Sequence, residues 1–213
     1  MNAVISPEPD CALCPRLAAF RAANREQFAD WHNAPVPSFG GDDARLLIVG
    51  LAPGLRGANR TGRPFTGDYA GDLLYPTLLA FGLAEGRYGA SPNDGLRLVG
   101  CRITNAVRCV PPENKPTGKE TTTCRRFLAK EIASLSELRV ILALGTVAHG
   151  TVLAALSERR AAFPFGHGAV HSLSNGLRLA DSYHCSRHNT NTGRLTRDMF
   201  EDVFRSAVGV IRN

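Results

Sequence analysis

Two hydrophobic periods alternate along the chain. Short unbroken apolar runs, Leu46-Leu47-Ile48-Val49 and Val140-Ile141-Leu142-Ala143-Leu144 among them, have the length and branched content of strands covered on both faces. Between such runs, stretches such as 119–135 and 194–212 repeat their apolar positions every three to four residues, as one buried helix face requires. In chain order the pattern predicts a helix from residue 14 to Trp31, a Pro/Gly-rich break and a strand at 45–50. It continues with a helix at 71–83, Pro76 near its first turn, then a loop at 84–95 and a strand at 96–107. Helix 119–135, strand 139–145, helix 146–160, strand 176–184 and a final helix at 194–212 complete it. Thr117, with Glu120 three residues on, makes a capping box for the helix at 119–135. Strands alternating with helices predict an α/β fold, three-layer α/β/α, with a central four-stranded, mainly parallel sheet.

In such sheets the ligand lies outside the carboxyl ends of the strands. The loops after Val49, after Val107 and after Tyr183 all leave those ends, so one shared site is expected there. The first of them, GLAPGLRGANRTGRPFTGDYAG from Gly50 to Gly71, is rich in glycine. It contains neither G-x-x-x-x-G-K-[ST] nor a G-x-G-x-x-G leading straight into a helix, so a nucleotide cofactor is not expected. Its glycines instead let backbone amides approach a flat ligand closely. Phe65 has no apolar period to explain it, which leaves a stacking platform for a planar group or an anchor into the core.

Charge and cysteine usage narrow the class further. With 213 residues, 44% of them apolar, the chain can bury a core of its own, and one domain over 1–213 is expected. A formal net charge of +6 and a pI near 9.3 favour a polyanionic partner, nucleic acid first. No apolar run approaches the roughly 20 residues of a membrane span, and the stretch MNAVISPEPDCALCPR lacks a signal-peptide layout, so a cytoplasmic protein is expected. In that reducing compartment six cysteines point away from a disulfide framework. Cys11 and Cys14 form a C-x2-C pair and Cys109 and Cys124 stand fifteen positions apart, a four-thiolate set that by spacing alone suits Zn2+ or an iron-sulfur cluster equally. Cys101 and Cys185 lack partners at ligand-like spacing and are expected to be packing residues.

Three ordered motifs, GLAPGLRGANRTGRPFTGDYAG, TNAVRCVPPENKPTGKE and YHCSRHNTNTGRLT, together with the four spaced cysteines, resemble the B-type, family-five uracil-DNA glycosylases of the iron-sulfur branch. The resemblance covers most of the chain. It implies a four-stranded parallel sheet between helices and a base-excision-repair activity that removes uracil, and other deaminated bases such as hypoxanthine, from DNA. The glycine-rich loop then resembles the wall of a pocket for a flipped-out base. Phe65 would be its stacking ring, and Gly50, Leu51, Ala52 and Gly67 would line it. Leu51 stands where A-type relatives carry Glu. Asp68 matches the position of the carboxylate that orients the attacking water, with Asp72 as the internal rival and a plain helix cap as the structural alternative. His184 would donate to uracil O2, and the amide of Asn105 would read O4 and N3-H.

The same resemblance implies a [4Fe-4S] cluster on Cys11, Cys14, Cys109 and Cys124, with Zn2+ as the alternative. It implies DNA contacts from Ser186, Arg187, His188 and Asn189, with Arg187 and His188 filling the gap left by the base. Cys185 departs from the family's His-Pro-Ser, which puts the geometry of that loop in doubt. Lys115 joins Arg16, Arg108, Lys119, Arg125 and Arg126 in an expected phosphate-contacting stripe. No other lysine lies in the motif loops, so a monofunctional enzyme without a Schiff-base lyase step is expected. The expected partner is DNA, double- or single-stranded, with no membrane, and the chain is expected to be a monomer. The competing reading is an iron-sulfur DNA-binding protein that recognises uracil without catalysis or retains its product.

Overall fold

The computed structural model describes residues 6–212; the stretch read as lacking a leader lies partly outside them. Four strands, β1 (Leu46–Gly50), β4 (Cys101–Asn105), β5 (Val140–Leu144) and β7 (Arg178–Ser182), pair in parallel in the order β4-β1-β5-β7. Alternate residues along them enter two separate cores. Leu46, Ile48, Ile103 and Leu142 pack with α3 (Tyr69–Ala80) and α7 (Arg197–Arg212) on one face. Leu47, Val49, Ile141 and Ala143 pack with α4 (Gly118–Ser134) and α5 (Thr146–Ala155) on the other. Every residue of β1 and β5 is buried, which is why their sequences are unbroken apolar runs rather than alternating ones. In α7, Phe200, Val203, Phe204, Ala207 and Val208 recur at one buried helical face. The three-layer α/β/α architecture is the expected one.

The sheet has five strands, not four. A fifth, β6 (Val170–Ser172), runs antiparallel to β7 at the edge. It has only three residues and two of them are exposed, too few and too polar an environment to leave a period in the sequence. The run 96–107 also divides. Gly100, at φ +58°, turns the chain between β3 (Arg97–Leu98), which pairs antiparallel with β2 (Ala84–Glu85), and β4.

The helix expected at 71–83 is α3, and its first turn begins at Tyr69, so Pro76 lies in its interior. The missing N-H of Pro76 deprives the carbonyl of Asp72, an exposed residue that water can satisfy. The first helix, α1 (Pro15–Gln27), stops short of Trp31, whose ring stacks on Phe28 at 3.9 Å instead. At α4 the capping box is present in both directions: Thr117 accepts from the Glu120 N-H, and the Glu120 carboxylate accepts from the Thr117 N-H at 2.7 Å. Among the described residues no helix is long and apolar enough to cross a membrane.

In register, Gly50 pairs with Asn105, and Leu144 with Ser182. The carboxyl ends of the four parallel strands therefore form one rim, and the three motif loops open along it.

Candidate active site

A cleft of about 550 Å³ lies on this rim. Leu51, Ala52 and Asp68 from the loop after β1, Gly145 and Val147 from the start of α5, and His184, Ser186 and Arg187 from the segment after β7 form its walls.

Asp68 is the N-cap of α3, with its Oδ1 accepting from the Gly71 N-H at 3.3 Å. The cap reading and a cleft-facing carboxylate hold together, because the other oxygen, Oδ2, faces the glycine loop. A Cβ on Gly57 would collide with that oxygen, and one on Gly54 would stand 3.2 Å from it. Burial raises the Asp68 pKa above the ordinary carboxylate range, the N-H groups of Gly71 and Ala70 oppose the shift, and Asp72 adds to it. Asp72 is exposed and faces a neighbouring groove beside Leu73 and Thr190, outside this cleft.

His184 sits just past the end of β7. Asn189 donates its side-chain amide to the His184 carbonyl at 2.8 Å and so fixes the backbone that carries the ring. Desolvation pushes the imidazole down to about 4, and its Nδ1 is buried with no partner. An unfolded histidine takes its proton near 6.5. Between pH 6.5 and about 4 the unfolded chain therefore binds the proton that the folded chain refuses, and stability drawn from this group is full above that window and falls as pH drops through it. Wild type is accordingly expected to lose more of its melting temperature between about pH 7.5 and about pH 5 than His184→Gln does. Equal losses in a paired thermal scan contradict this.

Asn105, at the end of β4, is buried and its Oδ1 has no partner. Beside it the Phe65 ring packs so closely over Gly50 that a Cβ there would strike both the Asn105 amide and the ring. Phe65 itself adopts φ +53°, a conformation costly for a bulky residue, and its ring faces His184 at 5.9 Å with 29° between planes. Phe65, Gly50 and Asn105 thus pack together beside His184, next to the cleft rather than among its lining residues, with Phe65 also part of the core. Gly67 takes φ +82° between the Arg60 guanidinium and the Thr61 methyl, and does not reach the cleft.

The segment after His184 is a short helix, α6 (Arg187–Asn191), where an open loop was expected. Ser186 caps it, accepting from the Asn189 N-H at 3.4 Å. Arg187 and His188 are exposed, and the Arg187 guanidinium lies 5.2 Å over the Tyr69 ring at the cleft mouth. Cys185 is fully buried against the α7 side of the sheet, so loss of the proline leaves a packed turn. Asn114 also lines the cleft, at φ +57° next to Glu113 at φ +55°. Its only sequence signal is that Asn tolerates the left-handed region.

The family is decided by comparison with known proteins. The family model for the uracil DNA glycosylase superfamily matches residues 37–207. The chain belongs to the uracil DNA glycosylase superfamily. It is 48% identical over 202 residues to the type-5 uracil-DNA glycosylase of Thermus thermophilus, a match that covers 92% of each chain. The Mycobacterium bovis type-5 enzyme is 45% identical over 215 residues, covering 97% of this chain and 79% of that one. The Pyrobaculum aerophilum type-5 enzyme is 40% identical over 203 residues, covering 93% and 88%.

In this member of the superfamily, Cys11 and Cys14 at the head of α1, Cys109 after β4 and Cys124 in α4 line one small apolar cavity with Leu17, Val107 and Phe127. All four are free thiols. Two sulfurs receive N-H donors, Cys124 from the Arg108 backbone at 3.4 Å and Cys109 from Arg21 at 3.7 Å. Burial, and then the neighbouring Cys124, push the Cys109 thiol up to about 12.

The basic stripe is smaller than expected. Arg108 is buried, bonded to Glu131 at 2.6 Å and Ser38 at 2.8 Å, and Arg16 is bidentate on Glu120. Arg108 is an internal tie beside the cysteine centre, because a buried guanidinium needs a carboxylate rather than a phosphate in reach, whereas Arg16 stays exposed with its guanidinium engaged by Glu120. Lys115, Lys119 and Arg126 are exposed.

A second cluster joins His149, Asp181 and His171. The Asp181 carboxylate lies 2.7 Å from His149 Nδ1 and 3.3 Å from His171 Nε2, and His149 Nε2 lies 2.9 Å from the Phe163 carbonyl. These bonds fasten α5, β6 and β7 together behind the His184 segment.

Proposed function

We propose that this chain is a monofunctional uracil-DNA glycosylase: one domain over 1–213 that extrudes uracil from DNA and hydrolyses its glycosidic bond, leaving an abasic site for base-excision repair. The observation that carries the reading is a desolvated carboxylate, Asp68, sharing one cleft with a neutral, partnerless His184 on the rim where the strands end. The type-5 names of the relatives support the same reaction.

Each group has a role that follows from its state. Ionised Asp68 orients a water toward C1′ and offsets the positive charge that develops on the sugar. The departing base carries the opposite charge. Neutral His184 donates an N-H to uracil O2 as that charge builds, and remains neutral because its site disfavours the imidazolium. Asn105 accepts from N3-H with the Oδ1 that is otherwise orphaned, and its amide nitrogen donates to O4. Phe65 supplies the stacking face. Leu51 and Ala52 present no polar group that would reject hypoxanthine, so other deaminated bases are within its range.

The four cysteines line one cavity and suit a [4Fe-4S] group held by Cys11, Cys14, Cys109 and Cys124, with Zn2+ as the alternative; the contribution of such a group is to cross-link α1, the loop after β4 and α4. Six free thiols suit a reducing cytoplasm, and the chain acts as a monomer.

A binding protein that merely recognises uracil needs Phe65 and Asn105 but not Asp68. Incubation with an oligonucleotide bearing one uracil is expected to release free uracil and leave a strand that breaks only on alkali treatment. Absence of free uracil, or breakage before alkali, overturns the proposal.

Arg187 and His188, exposed in the first turn of α6 at the cleft mouth, are placed to fill the gap in the stack. Arg187→Ala with His188→Ala is expected to slow excision from a U·A pair much more than from single-stranded DNA, where little stacking is broken. Equal losses on the two substrates at matched salt point instead to phosphate contacts.

A further inference from the structure

Phe65 is held at φ +53° by groups that never reach the cleft. Arg63, two residues earlier, is 5% exposed and bidentate on Asp94, Nη1 to Oδ1 at 2.8 Å and Nη2 to Oδ2 at 2.7 Å. Its remaining Nε donates to Thr66 Oγ1 at 2.7 Å, on the far side of Phe65. The guanidinium carbon lies 5.2 Å from the ring centres of Phe39 and Tyr75 and 5.9 Å from that of Tyr88. Those tyrosines also act on the backbone around Phe65. Tyr75 donates its hydroxyl to the Pro64 carbonyl at 2.6 Å and Tyr88 to the Phe65 carbonyl at 3.4 Å. Gly71 leaves room for this, since a Cβ there would collide with the Phe65 carbonyl and the Tyr88 hydroxyl.

Asp94 comes from elsewhere in the chain, the turn between β2 and β3. Its carboxylate is anchored in turn by the N-H groups of Gly89 at 2.8 Å and Leu96 at 3.0 Å. The two-stranded β2-β3 unit lies outside the main sheet, and this bond connects it to the glycine-rich loop.

We propose that Arg63 and Asp94 are positioning residues for base recognition: the pair clamps residues 63–66 so that the Phe65 ring stays pressed on Gly50 beside Asn105, presenting a preset face to an extruded base. The inference rests on the glycosylase reading for the role of that face. A strained residue persists only where its surroundings over-determine it, and here five side chains from three segments do so. A stacking ring left to find its place after the base arrives would lose the advantage of preset geometry, where displacements near 1 Å cost roughly 100-fold in rate.

Single substitution of either partner strands a buried charge and risks the fold, so the informative variant is Arg63→Met with Asp94→Leu, which removes both charges and keeps apolar volume. Thr66→Val, which removes the Nε bond together with the Thr66 hydroxyl's own bonds to the Pro64 carbonyl at 3.2 Å and the Tyr75 hydroxyl at 3.4 Å, is the milder companion. For the double variant, single-turnover excision of uracil is expected to fall roughly 10- to 100-fold. Binding to DNA carrying a tetrahydrofuran abasic analogue, which places no base in the pocket, is expected to change less than about twofold, a split that general destabilisation does not produce. Thr66→Val is expected to show the same split at smaller size. Excision at the wild-type rate in both variants overturns the clamp. A crystal structure of the double variant reads the clamp without turnover: Phe65 released from positive φ supports it, and Phe65 unmoved overturns it. Should wild type itself excise no uracil, the glycosylase reading fails, and that structure still decides the clamp.

Discussion

Cys109→Ala and Cys124→Ala are each expected to strip the chain of iron and of most of its folded stability. Cys101→Ala and Cys185→Ala are expected to retain the yellow-brown colour and about four irons per chain. The division follows from where the sulfurs lie. Cys109 and Cys124 share an apolar cavity with Cys11 and Cys14, whereas Cys101 and Cys185 are buried in the main core. Cys101 donates its thiol to the Leu83 carbonyl at 3.3 Å. Leu17 packs in the cavity and Arg16 and Arg21 bond to Glu120 and Cys109, so a bound group that joins α1 to these same segments contributes to folding directly. Iron analysis and visible absorption of protein purified without oxygen from iron-replete cells provide the test. A colourless zinc protein, or a Cys124→Ala variant with full iron, contradicts the assignment.

How far the chain can be read without coordinates depends on burial. Strands β1 and β5 were legible because water touches neither face, and α7 because one face alone is buried. The capping box at Thr117 and Glu120 was legible because both partners are local. What the sequence concealed depends on contacts between distant segments. Strand β6 exists because β7 offers it an edge, and its own residues are mostly exposed. Arg108 looks like a phosphate ligand until Glu131, twenty-three residues away, is found beside it. Arg63 gives no hint of Asp94, thirty-one residues on. At the site, the convergence of three loops followed from the strand–helix alternation and the carboxyl-end rule, but the choice of Asp68 over Asp72 came from resemblance. The structure adds a physical reason: Asp68 is desolvated in the cleft and Asp72 is in solvent.

Asp68→Asn is expected to lower the excision rate by roughly 100-fold or more, the usual scale for losing a positioned acid-base or electrostatic group. Asparagine keeps the shape and can still cap α3, since its carbonyl oxygen accepts from Gly71 as Oδ1 does now. The loss is therefore one of charge and basicity, and affinity for uracil-containing DNA is expected to persist. The pH profile carries the same signature. Only the ionised carboxylate serves, and burial raises its pKa above 3.8, so the wild-type rate climbs with pH along a limb displaced upward from the ordinary carboxylate range. In Asp68→Asn that limb disappears.

Asp68 is proposed as the one carboxylate that performs the hydrolysis. The most direct test is the single-turnover rate of uracil release from one oligonucleotide by wild type, Asp68→Asn and Asp72→Asn, each at saturating enzyme. The account predicts Asp72→Asn near the wild-type rate and Asp68→Asn slower by about 100-fold or more with DNA binding intact. Wild-type release by Asp68→Asn, or a dead Asp72→Asn beside it, contradicts the account.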